Sequence, residues 1–470
     1  MRAKCKSGAD IRWRARAGGC VAAQSGPGRE SFGSRLGFVL STAGAAIGLG
    51  NLWRFPWLVG MNGGGAFVLI YLTITLLVGI GLFMCEVSLG RATRRSSIGA
   101  FGEIRESWRP AGALGPLASF FALCFYSVVG GWVICYFLHS LAGFGSMTPS
   151  ASAELFASLT SAPVLPLAFH GIFIGATMVI CLKGVRGGIE RFSTAMTPLL
   201  FLLVFLLALR ALTLPGSGEG LRFYLVPDFS RVTAATFRNA LGQVFFSLSI
   251  GTGSILTYGS YLDKQENIPM LSAVVSLMDT AIAFMAGLII FPVAFSYGFQ
   301  PTAGMGLTFI TLPAVFGEMP AGNLFGVLFF FLFLVAALTS SISYLETIIA
   351  CLIEANGWGR GRAVILSGAA VFVLGCLSSL SLGPLRGLAV GGRNLFEVLD
   401  WLAVAVFQPL AGMVIAIFVG WVWGKKNALC EVTNGGEIRF RLGNAWVDIL
   451  LKFIAPFLVA SIFLAGLSLI

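Results

Sequence analysis

Gly44-Ala45-Ala46-Ile47-Gly48-Leu49-Gly50-Asn51 lies halfway along a continuous apolar stretch, near 35–59. Each glycine costs a helix interior about 1 kcal/mol relative to Ala. A second such run, Ser247-Leu248-Ser249-Ile250-Gly251-Thr252-Gly253-Ser254, sits in the same way inside the apolar stretch near 237–262. Two readings are open. Small residues let membrane helices pack closely. Alternatively, helices interrupted at matching positions in two halves of a chain mark a transport site. On glycines alone the two weigh about equally.

The chain has 470 residues, 57% hydrophobic and 11% charged. A soluble domain carries about 25% charged residues, so this chain cannot cover a water-facing surface and lipid is its solvent. A barrel would alternate apolar and polar residues in strands of about 10. Here the apolar runs are continuous and reach the roughly 20 residues that a spanning helix needs, so helices satisfy the backbone. Eleven runs are predicted, near 35–59, 66–91, 112–143, 165–183, 192–213, 237–262, 268–299, 322–355, 361–382, 394–424 and 444–470. The two glycine-rich runs fall in segments 1 and 6, five apart. That spacing fits a first repeat over about 35–213, a second over about 237–424, and an extra helix at 444–470. With matched placement, interruption outweighs close packing: unwinding frees carbonyls that can hold a cation and half-helix N-termini that can hold a carboxylate.

Residues 1–30 hold Arg2, Lys4, Lys6, Arg12, Arg14, Arg16 and Arg29 with no apolar core of a signal peptide. They read as a disordered basic cytoplasmic tail ahead of a transporter domain at 31–470. The loops with Arg91, Arg94, Arg95, Arg105 and Arg109, then Lys183 and Arg186, Arg360 and Arg362, and Lys425 and Lys426, fall on the side of that tail. The positive-inside rule makes this side cytoplasmic, and eleven spans then leave the C-terminus outside. Arg222 and Arg231 in the 214–236 loop run against the trend. Cys85, Cys124, Cys135, Cys181, Cys351 and Cys376 lie within apolar runs and serve as small hydrophobes. The histidines, His139 and His170, match no metal motif, and no phosphate loop is present. An enzyme would need a cofactor or a nucleophile–base set, and a channel a ring-forming filter. Neither is evident, so both rank below transport.

Asn51-Leu52-Trp53-Arg54-Phe55-Pro56, followed by Asn62-Gly63-Gly64-Gly65-Ala66-Phe67, resembles the signature of the neurotransmitter:sodium symporter family. Gln243-Val244-Phe245-Phe246-Ser247-Leu248-Ser249 and Ala336-Ala337-Leu338-Thr339-Ser340-Ser341 resemble two further motifs. The resemblance runs from about Arg29 to the end and points to the bacterial branch of leucine and tryptophan transporters. It implies an all-α polytopic protein of the bacterial inner membrane, with eleven transmembrane helices in a 5+5 inverted repeat and unwound segments 1 and 6, the LeuT-like fold.

The resemblance also implies two sodium sites. The first would use the Ala46 carbonyl, the Asn51 side chain, Ser247 and Asp279; the second the carbonyls of Gly44, Ile47 and Ala336 with the hydroxyls of Thr339 and Ser340. All are hard oxygen donors, as a hard cation requires. Asp279 stands near an Asn of the leucine transporter, and its fixed negative charge makes chloride unnecessary. Taken alone, Thr339 and Ser340 read equally as hydroxyls bonded back to their own helix. Ionisable residues at membrane depth mark function by default, which favours Asp279 as a ligand over a paired structural carboxylate.

For the substrate, the resemblance implies amides near Leu49 and Gly50 with the Tyr126 hydroxyl on the carboxylate. It places the carbonyls of Ala46, Phe246, Ser247 and Ser249 on the ammonium, with Ala122, Val129, Phe246, Thr252, Ile255 and Tyr344 around the side chain. Core packing is the alternative for each apolar member. Monoamine carriers place an Asp where this chain has Gly48, so the carboxylate must come from an amino-acid substrate. Thr252 and Ala122 replace larger residues of the leucine transporter, which favours a hydrophobic or aromatic amino acid; a small amino acid or an osmolyte is the alternative. Arg54 with Asp400, capped by Tyr126 and Phe246, would form an outer gate, and Arg29 with Glu354 an inner one, joined by Tyr261 and Glu346. Glu86 would accept hydrogen bonds from the unwound segment 6. The expected partners are an amino acid, sodium ions and the bilayer, with no cofactor and no nucleic acid.

Overall fold

The computed structural model describes residues 30–145, 147–298 and 306–467. Among these, nine helices are long and apolar enough to cross a membrane. The pair Arg35–Ala46 and Gly50–Met61, bent by 49°, forms one further span. The sixth apolar run folds as two shorter helices, Ala234–Ser247 and Ser254–Gly259. The remaining spans are Gly65–Thr93, Glu106–Ala142, Leu165–Leu182, Val185–Leu212, Ile268–Ser296, Gly322–Asn356, Arg360–Leu380, Leu395–Trp423 and Gly443–Leu467. Each apolar run of the sequence is thus helical, because lipid offers the backbone no other partner.

Burial sorts the spans. Spans 3 and 8 are mostly enclosed and pack on one another, whereas span 11 buries only 17% of its apolar window and faces outward. The enclosed spans surround the two broken ones. The six cysteines of the apolar runs are free thiols, and Cys85, Cys124, Cys181 and Cys351 are buried as small hydrophobes.

The connections hold more structure than their composition suggests. The 144–164 loop carries the helix Pro149–Ser161, whose N-terminus is capped by Thr148 accepting from the Ala151 amide at 3.2 Å. Ser217–Leu225 is helical within the 214–236 loop, and Leu307–Glu318 is helical between spans 7 and 8. These helices are too short to span, but they bury aromatic rings: Phe309 stacks on Phe156 at 5.4 Å and meets the edge of Trp132 at 6.0 Å. On the opposite face, called here the basic face, Ser97–Ile104 is helical and Arg91 is buried. Arg91 pairs with Glu431 at 2.7 Å and donates to the Glu266 carbonyl at 2.5 Å. It thereby ties span 2 to the helix Lys425–Val432.

The basic tail lies outside the described residues up to Arg29. Glu30, which the sequence assigns to that tail, belongs to the folded body: its carboxylate accepts from the Val185 amide at 2.5 Å and pairs with Arg360 at 3.1 Å.

Candidate functional site

Both glycine-rich runs leave the helix. Ile47 turns to extended backbone (φ −70°, ψ 111°), and the chain re-enters a wide π-turn at Gly50–Arg54. In span 6, Ser249, Gly251 and Gly253 take positive φ of 53°, 83° and 75°. A Cβ on Gly251 would stand 2.1 Å from the Gln408 carbonyl oxygen, so only glycine fits the approach to span 10. The freed backbone groups are met by buried side chains. Gln243 donates to the Gly50 carbonyl at 2.9 Å and Gln408 to the Phe245 carbonyl at 2.9 Å. Ser119 donates to the Thr252 carbonyl at 2.7 Å, and the Gly251 amide donates to Glu86 at 2.6 Å.

Beside the breaks stands a polar cluster with no water-exposed member. Asn51 donates to an Asp279 carboxylate oxygen at 2.7 Å, to the Asp279 carbonyl at 3.1 Å and to Ser247 at 3.0 Å. Ser247 donates to the other Asp279 oxygen at 2.7 Å and accepts from Tyr71 at 3.3 Å. Asn51 also accepts from the Gly48 amide at 3.0 Å, which holds the break of span 1 against the cluster. Asp279 is fully buried, and among the described residues no Lys or Arg pairs with it. A buried carboxylate without a cationic partner is costly. The group is therefore suited to receive a cation.

The second set also converges. Thr339 and Ser340 point their hydroxyls at the Ile47 carbonyl, at 3.5 and 3.1 Å. They also bond back to the Ala336 carbonyl, at 3.0 and 3.4 Å. A Cβ on Gly44 would lie 3.3 Å from Thr339, so that glycine backbone borders the same spot.

Between the two sets, the Leu49 amide donates to the Tyr126 hydroxyl at 3.2 Å, and the Tyr126 ring meets Tyr344 edge-on at 5.7 Å. A Cβ on Gly48 would fall 2.4 Å from the Ser340 hydroxyl and 2.7 Å from that of Tyr126. Gly50 faces the ring of Phe246. Ala46, Ala122, Val129, Ser249, Thr252 and Ile255 are all buried, and the Thr252 hydroxyl is engaged with the Ser249 carbonyl at 2.7 Å.

The residues expected at the gates lie at the two ends of the spans. Arg54 lies over the Phe246 ring at 4.6 Å. It shares a cavity of about 420 Å³ with Asp400, Arg393 and Glu397, but among the described residues it forms no ion pair with Asp400. On the basic face Arg29 lies outside the described residues. Glu354 accepts from the Ser96 amide at 2.6 Å, at the N-terminus of Ser97–Ile104, and pairs with Arg95 at 3.5 Å. The same face carries a further network. Tyr261 donates to Glu346 at 2.8 Å, Arg360 binds Glu346 at 2.6 Å and Glu30 at 3.1 Å, and Arg360 donates to the Cys181 carbonyl at 2.7 Å.

Sequence reasoning named Tyr261 and Glu346 but missed Arg360, Tyr71, Gln408 and Ser119. Each is an ordinary residue in a span or at its end. Only Gln408, an amide in an apolar run, carried a signal: a polar side chain at membrane depth needs a partner.

Comparison with known proteins matches this geometry. The model of the sodium:neurotransmitter symporter family fits residues 29–148 and 163–470. The sodium-dependent transporter YhdH of Bacillus subtilis is 39% identical over 92% of this chain and 96% of its own. A sodium-dependent transporter of Haemophilus influenzae is 36% identical over 93% and 98%. Among solved structures, MhsT in complex with L-phenylalanine superposes with a TM-score of 0.87 at 38% identity, covering 93% of this chain and all of that one. The broken first and sixth spans, the helix order and these likenesses give the LeuT-like fold of two inverted sets of five spans, and the chain belongs to the sodium:neurotransmitter symporter family.

Proposed function

We propose that this chain is a sodium-coupled symporter that imports a hydrophobic or aromatic amino acid by alternating access across the bacterial inner membrane. The observation that carries the reading is Asp279: a buried carboxylate bonded to Asn51 and Ser247, without a cationic side chain among the described residues, beside two broken helices. A sodium ion held by the Ala46 carbonyl, Asn51, Ser247 and Asp279 balances that charge. A second sits among the carbonyls of Gly44, Ile47 and Ala336 and the hydroxyls of Thr339 and Ser340. The charge of Asp279 is fixed in the protein, so no chloride is required.

The substrate carboxylate binds at the freed amides near Leu49 and Gly50 and at Tyr126, and completes the first sodium site. Ion and substrate then stabilise the same geometry, which is the source of coupling. The ammonium rests on the carbonyls of Ala46, Phe246, Ser247 and Ser249. Gly48 brings no side-chain carboxylate to the spot beside Tyr126 and Ser340, in support of a substrate that brings its own. MhsT was captured with L-phenylalanine, a large aromatic amino acid. That likeness and the small Ala122 and Thr252 favour an aromatic side chain here, among Val129, Phe246, Ile255 and Tyr344.

The N-terminus is cytoplasmic and the C-terminus outside. The basic face is then the inner one, closed by Tyr261, Glu346, Arg360 and Glu30, and Arg54 and Asp400 border the outer vestibule. Uptake of labelled L-phenylalanine and L-tryptophan into proteoliposomes tests the whole reading. Accumulation driven by an inward sodium gradient is expected, and uptake indifferent to sodium removal defeats it.

A further inference from the structure

Charged residues on a lipid-facing helix surface are costly and call for a reason. Span 11 is the least enclosed span, yet it carries Asp448 and Lys452 one turn apart beside exposed Ile449, Phe453 and Phe457. Asp448 pairs with Lys425, from just beyond the end of span 10, and with Lys452 at 3.0 Å. Two ammonium groups thus share one carboxylate, which leaves a net positive charge.

The surroundings hold this charge in place. Gly420 on span 10 passes so close to Lys452 that an added Cβ would stand 3.2 Å from its Cγ, so the aliphatic stem lies across a small-residue notch. The Lys452 ammonium sits 5.4 Å from the centre of the Trp421 ring, and the Trp421 indole donates to the Lys452 carbonyl at 3.3 Å. Phe453 packs edge-on against the same ring at 5.7 Å. Both spans widen into π-turns at this level, Phe418–Trp423 and Trp446–Ile454, a distortion often found at functional sites. Trp421 is 57% exposed, as an interfacial anchor is.

We propose that Lys425, Lys452 and Trp421 bind the headgroup of an anionic phospholipid on the basic face. The phosphate accepts from the two ammonium groups, Lys452 snorkels toward the headgroup level, and the acyl chains lie along Ile449, Phe453 and Phe457. Basic pockets between helices on this side of a membrane are suited to such headgroups. Asp448 competes with the lipid for both lysines and sets the strength of binding.

The test is native mass spectrometry of the intact protein released from nanodiscs of mixed phosphatidylglycerol and phosphatidylcholine, counting lipid retained. Preferential retention of phosphatidylglycerol is expected. Lys425→Gln and Lys452→Gln should each reduce it about fivefold, the factor for about 1 kcal/mol per charge near the headgroups. Asp448→Asn frees both lysines and should raise retention, an effect opposite to the loss that a purely structural ion pair predicts. Equal retention of the two lipids by the parent protein overturns the proposal. So does a fall or no change in Asp448→Asn, or displacement of the lipid by millimolar inorganic phosphate, which would make the site one for free anions.

Discussion

Asp279 on span 7 accepts a hydrogen bond at 2.7 Å from Ser247, the last helical residue before span 6 breaks. The same Ser247 oxygen accepts from Asn51, just past the break of span 1. One hydroxyl therefore joins three spans at the point where two of them lose their backbone pairing, and the carboxylate beside it bears charge that no side chain among the described residues cancels.

Asp279→Asn tests that charge. The amide keeps the shape and can still accept from Ser247, but it removes the anion. Interactions with charged groups contribute about 1.5–3 kcal/mol, so the sodium concentration for half-maximal uptake should rise roughly 10-fold or more. Sodium titrations in chloride and in gluconate check both parts: the parent protein should be indifferent to the anion, and the variant should transport better in chloride.

Gly48→Ala places a methyl group 2.4 Å from the Ser340 hydroxyl and 2.7 Å from Tyr126. Overpacking of this kind costs about 1–3 kcal/mol. The added carbon lies where the substrate carboxylate is proposed to bind, so amino-acid binding by scintillation proximity should fall by more than the melting midpoint implies.

Glu86→Ala leaves the Gly251 amide without its acceptor inside the protein. The expected loss is about 1–3 kcal/mol, seen as a lower melting midpoint. Glu86→Gln retains an acceptor oxygen and should recover most of it. Equal damage from both substitutions would mean that the charge, and not the hydrogen bond, is what span 6 needs.

Arg360→Ala strands Glu346, whose side chain is fully buried, without its cation. Breaking a buried pair costs about 3–5 kcal/mol. On the proposed function this network closes the basic face, so the variant should open there more often. Cys181, buried beneath Arg360, should then react with a maleimide faster than in the parent protein, as read by peptide mapping.

The sequence by itself determined the spans and the places where two of them break. Hydropathy and helix length are local properties, and lipid leaves a long apolar run only one way to satisfy its backbone. Glycine at 251 and 253 announces positive φ for the same local reason. The short helices around Pro149–Ser161 and Leu307–Glu318 were not legible, because they form by burying rings such as Phe156 and Phe309 against each other rather than by length. Tertiary structure alone decided which distant side chains meet. Asn51 and Asp279 are 228 positions apart, and nothing local fixes their contact. Arg54 and Asp400 line one cavity, and Arg360 pairs with Glu346 from 14 positions away. Such pairings depend on the crossing and rotation of packed helices, which are set by the whole assembly and not by any one segment.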